Sequence, residues 1–318
     1  MKSSWNQEMR LEAEKPKGIP DVLREKALGL AREWIYSQRI ENLHELEKSP
    51  FECQTLNALN ASIASFTKRL GLPGLSVTEQ QVHILDPHAL PEEVNIEGEG
   101  ACCLDGHIYI QRNEIDPYKF VRLLAHESAH AISYLEHTVH LSPAKQKGED
   151  AEIVPVSRRV GFDFVPRILT DPDLRKFEAF NEAATDLLSF DIRNEPAFFE
   201  GMPADMDRGK LQQVVYPHSL LLHKILKAVA TEELPATAWR DNLHRDLFRG
   251  TWSTLRALGK KQKGFVKRWA ELKNDWREYI VLANETGYKE CIPIIRTWAA
   301  GTGVSDEEID DFLKKTLE

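Results

Sequence analysis

The chain has 318 residues and a formal net charge of −9 at pH 7, with 42% hydrophobic and 29% charged residues. That balance describes a globular chain with enough apolar mass for a sizeable core, and it excludes disordered, collagen-like and membrane-embedded classes. The acidic excess argues against a general nucleic-acid binder, which needs a basic surface.

Residues 1–18 read as a polar lead-in without the apolar run of a secretory signal, and no stretch approaches the roughly 18 apolar residues of a spanning helix. The expectation is a cytoplasmic protein with neither a membrane nor a nucleic-acid partner. Its oligomeric state is not legible. Residues 20–46 read as a helix with Leu28, Leu30, Trp34 and Ile35 on its apolar side. Ser49-Pro50-Phe51-Glu52 opens a second helix: serine caps, proline suits the first turn, and Glu52 holds the capping-box position. That helix runs to about Leu70 and stops at Gly71.

Residues 82–85 and 107–110 look like short strands, the second preceded by an Asp105-Gly106 turn. Asp116-Pro117 opens a long helix with no evident breaker after it. Residues 141–170 are polar and irregular, with a hairpin between 153–156 and 159–164. Asp171-Pro172 starts a helix through about Ile192, and from Pro217 onward the pattern is helical, with Ser305 capping the last element. Three segments follow: a helical region over 1–75, an α/β subdomain over 76–170, and a helical C-terminal subdomain over 171–318. The fold class is α+β, mostly helical.

Cys53, Cys102, Cys103 and Cys291 form no C-x-x-C pair, so neither a cysteine metal knot nor a redox motif is indicated. Cys102 and Cys103 read as small residues leading into a strand. Lys260, Lys261, Lys263, Lys267 and Arg268 interleave with Phe265, Trp269 and Leu272, which reads as a solvated helix face.

The chemistry sits in His126-Glu127-Ser128-Ala129-His130. Four residues of helix turn about 400° and rise about 6 Å, so the two imidazoles share one face, a turn apart. They can converge on one zinc ion at about 2.0–2.1 Å, with Glu127 rotated beside it, able to reach a metal-bound water without ligating. Zinc then needs a third protein ligand. Glu136, on the same helix, would point away, and His137 and His140 read as solvent or capping histidines. A cysteine such as Cys103 is the weakest choice. Glu182, in Asn181-Glu182-Ala183-Ala184-Thr185-Asp186, is the better one. Glu182 and Asp186 share a helix face among apolar neighbours, where a carboxylate is costly unless paired or metal-bound.

H-E-x-x-H followed by N-E-x-x-T-D resembles the gluzincin zinc metallopeptidases, the group that includes thermolysin. The resemblance covers about residues 104–192, and the gap between His130 and Glu182 is longer than in thermolysin. It implies a zincin-like catalytic domain, with a small sheet before the motif helix and a helical C-terminal subdomain. It also implies Zn²⁺ on His126, His130 and Glu182, with Glu127 as general base hydrolysing a peptide or protein substrate. By the same resemblance Asp186 would orient His126 and Asn181 would orient His130. Residues 106–112 would be the edge strand that binds the substrate backbone. Tyr216 or His218 would stabilise the oxyanion, with Arg158 and Arg159 as further candidates for binding a carboxylate or the substrate backbone. Rival readings are a non-peptidase hydrolase or inactive binding module on the same fold, and a helical interaction protein with a chance motif.

Overall fold

The computed structural model describes residues 7–13, 25, 28–29, 32–33, 44–86, 100–102, 106–112, 116–142, 152–165, 175–212, 217–261, 264–273, 275–301 and 303–317. These form a mostly helical α+β protein with two small sheets.

Helix α1 (Pro50–Arg69) starts as its sequence dictates. The Ser49 hydroxyl accepts from the Glu52 amide, and the Glu52 carboxylate accepts from the Ser49 amide at 2.6 Å. Such a cap contributes about 1 kcal/mol. Of the helix expected over 20–46, the described residues Glu25, Leu28, Gly29, Arg32 and Glu33 are helical, and only its end departs from expectation. Residues 44–49 are extended, not helical, and the Leu46 amide donates to the Ile84 carbonyl at 2.7 Å. Most of the remainder of the expected helix lies outside the described residues. The lead-in also holds a strand, β1 (Gln7–Ala13).

The first sheet has the order β1-β5-β6-β7, where β5 is Leu135–Ser142, β6 Glu152–Val160 and β7 Asp163–Val165. β1 runs parallel to β5, and the other pairs are antiparallel. Here the pattern reading is corrected. Residues 153–156 and 159–160 are one strand, and the hairpin turns at Gly161 and Phe162. Gly161 has φ +56°, and a Cβ there would lie 2.5 Å from Asn181 Oδ1, so the turn requires glycine.

The second sheet has the order β2-β4-β3, with β2 Val82–Leu85, β3 Gly100–Cys102 and β4 Ile108–Gln111. β4 is therefore the central strand, parallel to β2 and antiparallel to β3. It has no free edge for a substrate, which corrects the edge-strand expectation for residues 106–112. Alternation along β2 and β4 sends Val82, Ile84, Ile108 and Ile110 into the core. It leaves His83, His107 and Tyr109 stacked on the other face, where Glu45, His83 and His107 form a hydrogen-bonded chain.

Helix α2 (Pro117–Ala131) is followed, after the first sheet, by α3 (Glu178–Arg193). The latter begins later than Asp171-Pro172 suggests, because Lys176 still pairs with Phe164 as a β-bridge. Phe177 makes the turn at φ +62°, a left-handed conformation that costs a bulky residue about 1–3 kcal/mol. Its amide donates to the Ala270 carbonyl, and its ring packs on Trp252. Helix α3 is the hub of the core. Ala179, Phe180, Ala183, Ala184, Leu187 and Leu188 are all buried, and α3 packs against α1, α2 and the helices after residue 217.

Those include α6 (Pro217–Ala228) and α7 (Ala236–Arg249); α4 (Pro196–Gly201) and α5 (Arg208–Leu211) are short connections. The remainder is α8 (Ser253–Lys261), α9 (Phe265–Glu271), α10 (Trp276–Thr286), α11 (Ile292–Gly301) and α12 (Asp306–Leu317), the last capped by Ser305. Phe265 and Trp269 are buried while Lys260 and Lys261 are exposed, so the basic cluster is a solvated face; Lys263 lies outside the described residues. One hydrophobic cluster runs from Leu56 to Ile309, drawing on all three expected segments. No described helix is long and apolar enough to cross a membrane.

The α3–α6–α7 junction carries a charge chain that makes the fold acid-sensitive. Asp191 takes His244 at 2.7 Å and Arg240 at 2.6 Å, and Arg240 also faces His223. Burial, with Arg240 and Lys227 nearby, pushes His223 down from 6.5 to about 4. The unfolded chain therefore binds a proton near pH 6.5 that the fold refuses until about pH 4, and stability falls as pH falls through that window. The Asp191 carboxyl is buried, but His244 and Arg240 hold it below its usual range, so its contribution is lost at still lower pH. The expected result is a melting temperature that drops from pH 6.5 to 4, and a shallower drop in His223→Gln. An identical slope in the variant would contradict this origin.

Candidate metal centre

Helix α2 is set by local rules. Asp116 Oδ1 accepts from the Tyr118 amide at 3.1 Å, and Pro117 occupies the first turn. Phe120, Val121, Leu124, Ala125 and Ala129 face the core. The helix stops at Ala131, although no glycine or proline follows, because residues 135–142 are drawn into the β5 ladder. The Ser133 hydroxyl donates to the Ala129 carbonyl at 2.6 Å, satisfying one of the last acceptors. Glu136 is thus a strand residue held by the Tyr134 hydroxyl, not a helical neighbour of the histidines. His137 is only 2% exposed, which corrects its reading as a solvent or capping residue. The side chain of His140, and Cys103 altogether, lie outside the described residues.

Helix α3 packs against α2, and Ala125 and Ala129 of one and Ala183 and Ala184 of the other are all buried. This brings three ligand atoms together. His126 Nε2 is 3.1 Å from His130 Nε2 and 3.2 Å from Glu182 Oε2, and His130 Nε2 is 3.3 Å from Glu182 Oε2. The imidazole rings stand at 81° to each other, and one ligand atom from each lies close to one from Glu182. Three vertices of a regular tetrahedron with such edges lie about 2.0 Å from its centre, the bond length of imidazole and carboxylate ligands to a small divalent ion. The donor set and its spacing fit: His126, His130 and Glu182 can hold a metal ion. Glu182 keeps 20% side-chain exposure, so the centre can be reached from outside.

No protein-family model, no curated protein and no solved structure matches this chain. The geometry of the centre therefore carries the functional argument.

The surrounding charges are strongly coupled. Burial opposes the charged form of His126, yet Glu182, Glu127 and Asp186 together lift it to about 9. Burial likewise opposes ionisation of Glu182, and His130 and His126 overcome it, holding the carboxyl well below its usual range. Glu127 is 7% exposed; burial raises it, and the two histidines only partly offset that.

Around these residues lies a supporting layer. Asp186 Oδ1 stands 4.0 Å from the outer nitrogen of His126, and its other oxygen accepts from the Ser219 hydroxyl at 2.6 Å. Arg193, fully buried one helical stretch further on, adds a positive field at Asp186 and donates to the Leu211 carbonyl. Thr185 Oγ1 is 3.5 Å from the outer nitrogen of His130, the place expected for Asn181. Asn181 instead accepts from the Phe162 amide at 2.9 Å, fastening the β6–β7 turn to α3. Supporting groups of this kind typically change metal affinity about 10–100-fold. Asp186→Asn is expected to weaken metal binding by that factor in a chelator competition, and an unchanged affinity would exclude the role.

Tyr216 lies outside the described residues; His218 is placed only as backbone on α6. Arg159 braces the fold: it donates to the carbonyls of Gly161 and Gly250 at 2.8 and 2.6 Å and stacks on Trp252. Pattern reading missed Thr185, Ser219, Arg193 and Tyr279. Tyr279 is buried, and its hydroxyl is raised by that burial and by the charge of Glu182. None of the four carries a local signal; Thr185 at least lies within the second motif.

Proposed function

We propose that the chain is a zinc-dependent peptidase of gluzincin type, with His126, His130 and Glu182 holding the ion. The observation that carries this reading is a triangle of two imidazole nitrogens and one carboxylate oxygen, with edges of 3.1–3.3 Å, beside a buried unligated carboxylate. A bound zinc ion supplies Lewis acidity, polarising a carbonyl and making water more acidic.

Glu127 supplies the rest. Its burial makes it a stronger base than a solvated carboxylate, so it takes the proton of the attacking water and delivers it to the departing amine nitrogen. A module that only stores a metal has no use for such a group, which favours the hydrolytic reading. Asp186, steadied by Ser219, and Thr185 keep the imidazoles turned inward. The substrate backbone needs a strand edge. Among the described residues β3 pairs on one side only and packs on α2, so its outer edge is the place for an extended peptide.

The test is hydrolysis of an unbiased peptide library by the zinc-loaded protein. New peptide termini that vanish on chelation are expected. A protein that binds zinc at this centre yet cuts no peptide would sink the reading.

A further inference from the structure

At the start of α3, two arginines crowd one buried carboxylate. Asp163, 2% exposed, is taken by Arg175, whose Nε lies 2.9 and 3.0 Å from the two carboxylate oxygens. Arg175 also donates to Glu178 at 2.5 Å. Glu178 and Glu182 are one turn apart on α3, and Arg175 is within electrostatic reach of Glu182. Arg158 is the arginine left over. It sits on β6 opposite His137 of β5 and shares that face with Asp163. Its nearest acid oxygen among the described residues, on Asp163, is 3.8 Å away, beyond hydrogen-bond range.

The Arg158 side chain is only 25% exposed, and the like charge of Arg175 stands beside it. A guanidinium has five donors in a planar fork, and the fork of Arg158 finds no carboxylate within hydrogen-bond range among the described residues. Burying a charged fork without acceptors is unfavourable, and a planar anion that accepts both arms relieves it.

We propose that Arg158 binds a carboxylate of the substrate, so that the preferred peptides carry an acidic group near the bond to be cut. This rests on the peptidase reading and adds the substrate class to it. The α3 arrangement explains the division of labour. Arg175 is engaged by Asp163 and Glu178, while Arg158 keeps its fork for the ligand. Arg159, next in the chain, points to the opposite face and is engaged by Gly161 and Gly250.

The test measures binding, not turnover. Zinc-loaded Glu127→Gln protein is titrated with fluorescent peptides that differ only by Glu against Gln at each position. One Glu-containing set is expected to bind roughly 10–100-fold tighter, the range of a charge-assisted hydrogen-bond pair. Adding Arg158→Gln should remove that preference with zinc content unchanged, and Arg158→Lys should restore part of it. Should Arg158→Gln fail to fold, the loss of part of the preference in Arg158→Lys carries the test. Equal binding of Glu and Gln peptides, or a preference that survives both Arg158 changes, would overturn the proposal. Either of those results, with neutral peptides still cleaved by the unaltered chain, would leave the peptidase reading standing.

Discussion

Glu127→Gln is expected to keep its metal and lose about 10²–10⁴-fold in turnover, the usual contribution of a positioned general base. The amide has nearly the shape of the carboxylate, so the neighbouring ligand atoms of His126, His130 and Glu182 keep their positions. What disappears is the capacity to take a proton. Burial favours the change energetically, because a neutral amide replaces a carboxylate whose charge the site disfavours. The variant should therefore be at least as stable as the parent. Turnover measured against metal content checks both halves. Near-normal turnover with metal bound would remove Glu127 from the mechanism.

Metal binding itself is expected to be strongly proton-coupled. Without metal, the carboxylates around His126 overcome its burial and raise it from 6.5 to about 9, so at neutral pH the ligand atom carries a proton. A cation must displace that proton. Apparent affinity should rise about tenfold per pH unit, roughly 100-fold between pH 7 and 9, with about one proton released per ion at pH 7. The same shift acts on the metal-free fold. Its folded value lies above the unfolded one, so the contribution is complete below pH 6.5 and is lost as pH rises through about 9. Calorimetry in two buffers of different ionisation enthalpy counts the proton. Affinity independent of pH across this window would show that His126 is not the proton-carrying ligand.

Much of the centre was legible because its rules are local. The i, i+4 spacing of His126 and His130, the Asp116-Pro117 start and the Glu182–Asp186 pair are properties of single helices, and each helix forms where its sequence places it, apart from the later start of α3. The capping box of Ser49 and Glu52 is equally local. What escaped depends on partners distant in sequence. Residues 135–142 carry no turn signal before them, yet they leave the helix because β1 and β6 offer hydrogen bonds on both edges. The central position of β4 cannot be read from its four residues, since β2 and β3 come from either side of it. Asn181 matched a motif, but the orphan amide of Phe162 in a tight turn claimed it, leaving Thr185 beside His130. Arg158 and Arg159 look alike in sequence, and only strand alternation sends one to the Asp163 cluster and the other to Trp252.

The most direct test of the α2–α3 centre is the metal content of the purified chain beside His130→Ala and Glu182→Ala, measured by elemental mass spectrometry after reconstitution with zinc. About one zinc per chain is expected, the stoichiometry of a single closed ligand set. Each variant should lose it, because two of three ligands do not retain a small divalent ion against dialysis. A chain that takes up no zinc, or variants that hold it as well as the parent, would contradict the assignment of His126, His130 and Glu182 as the metal ligands.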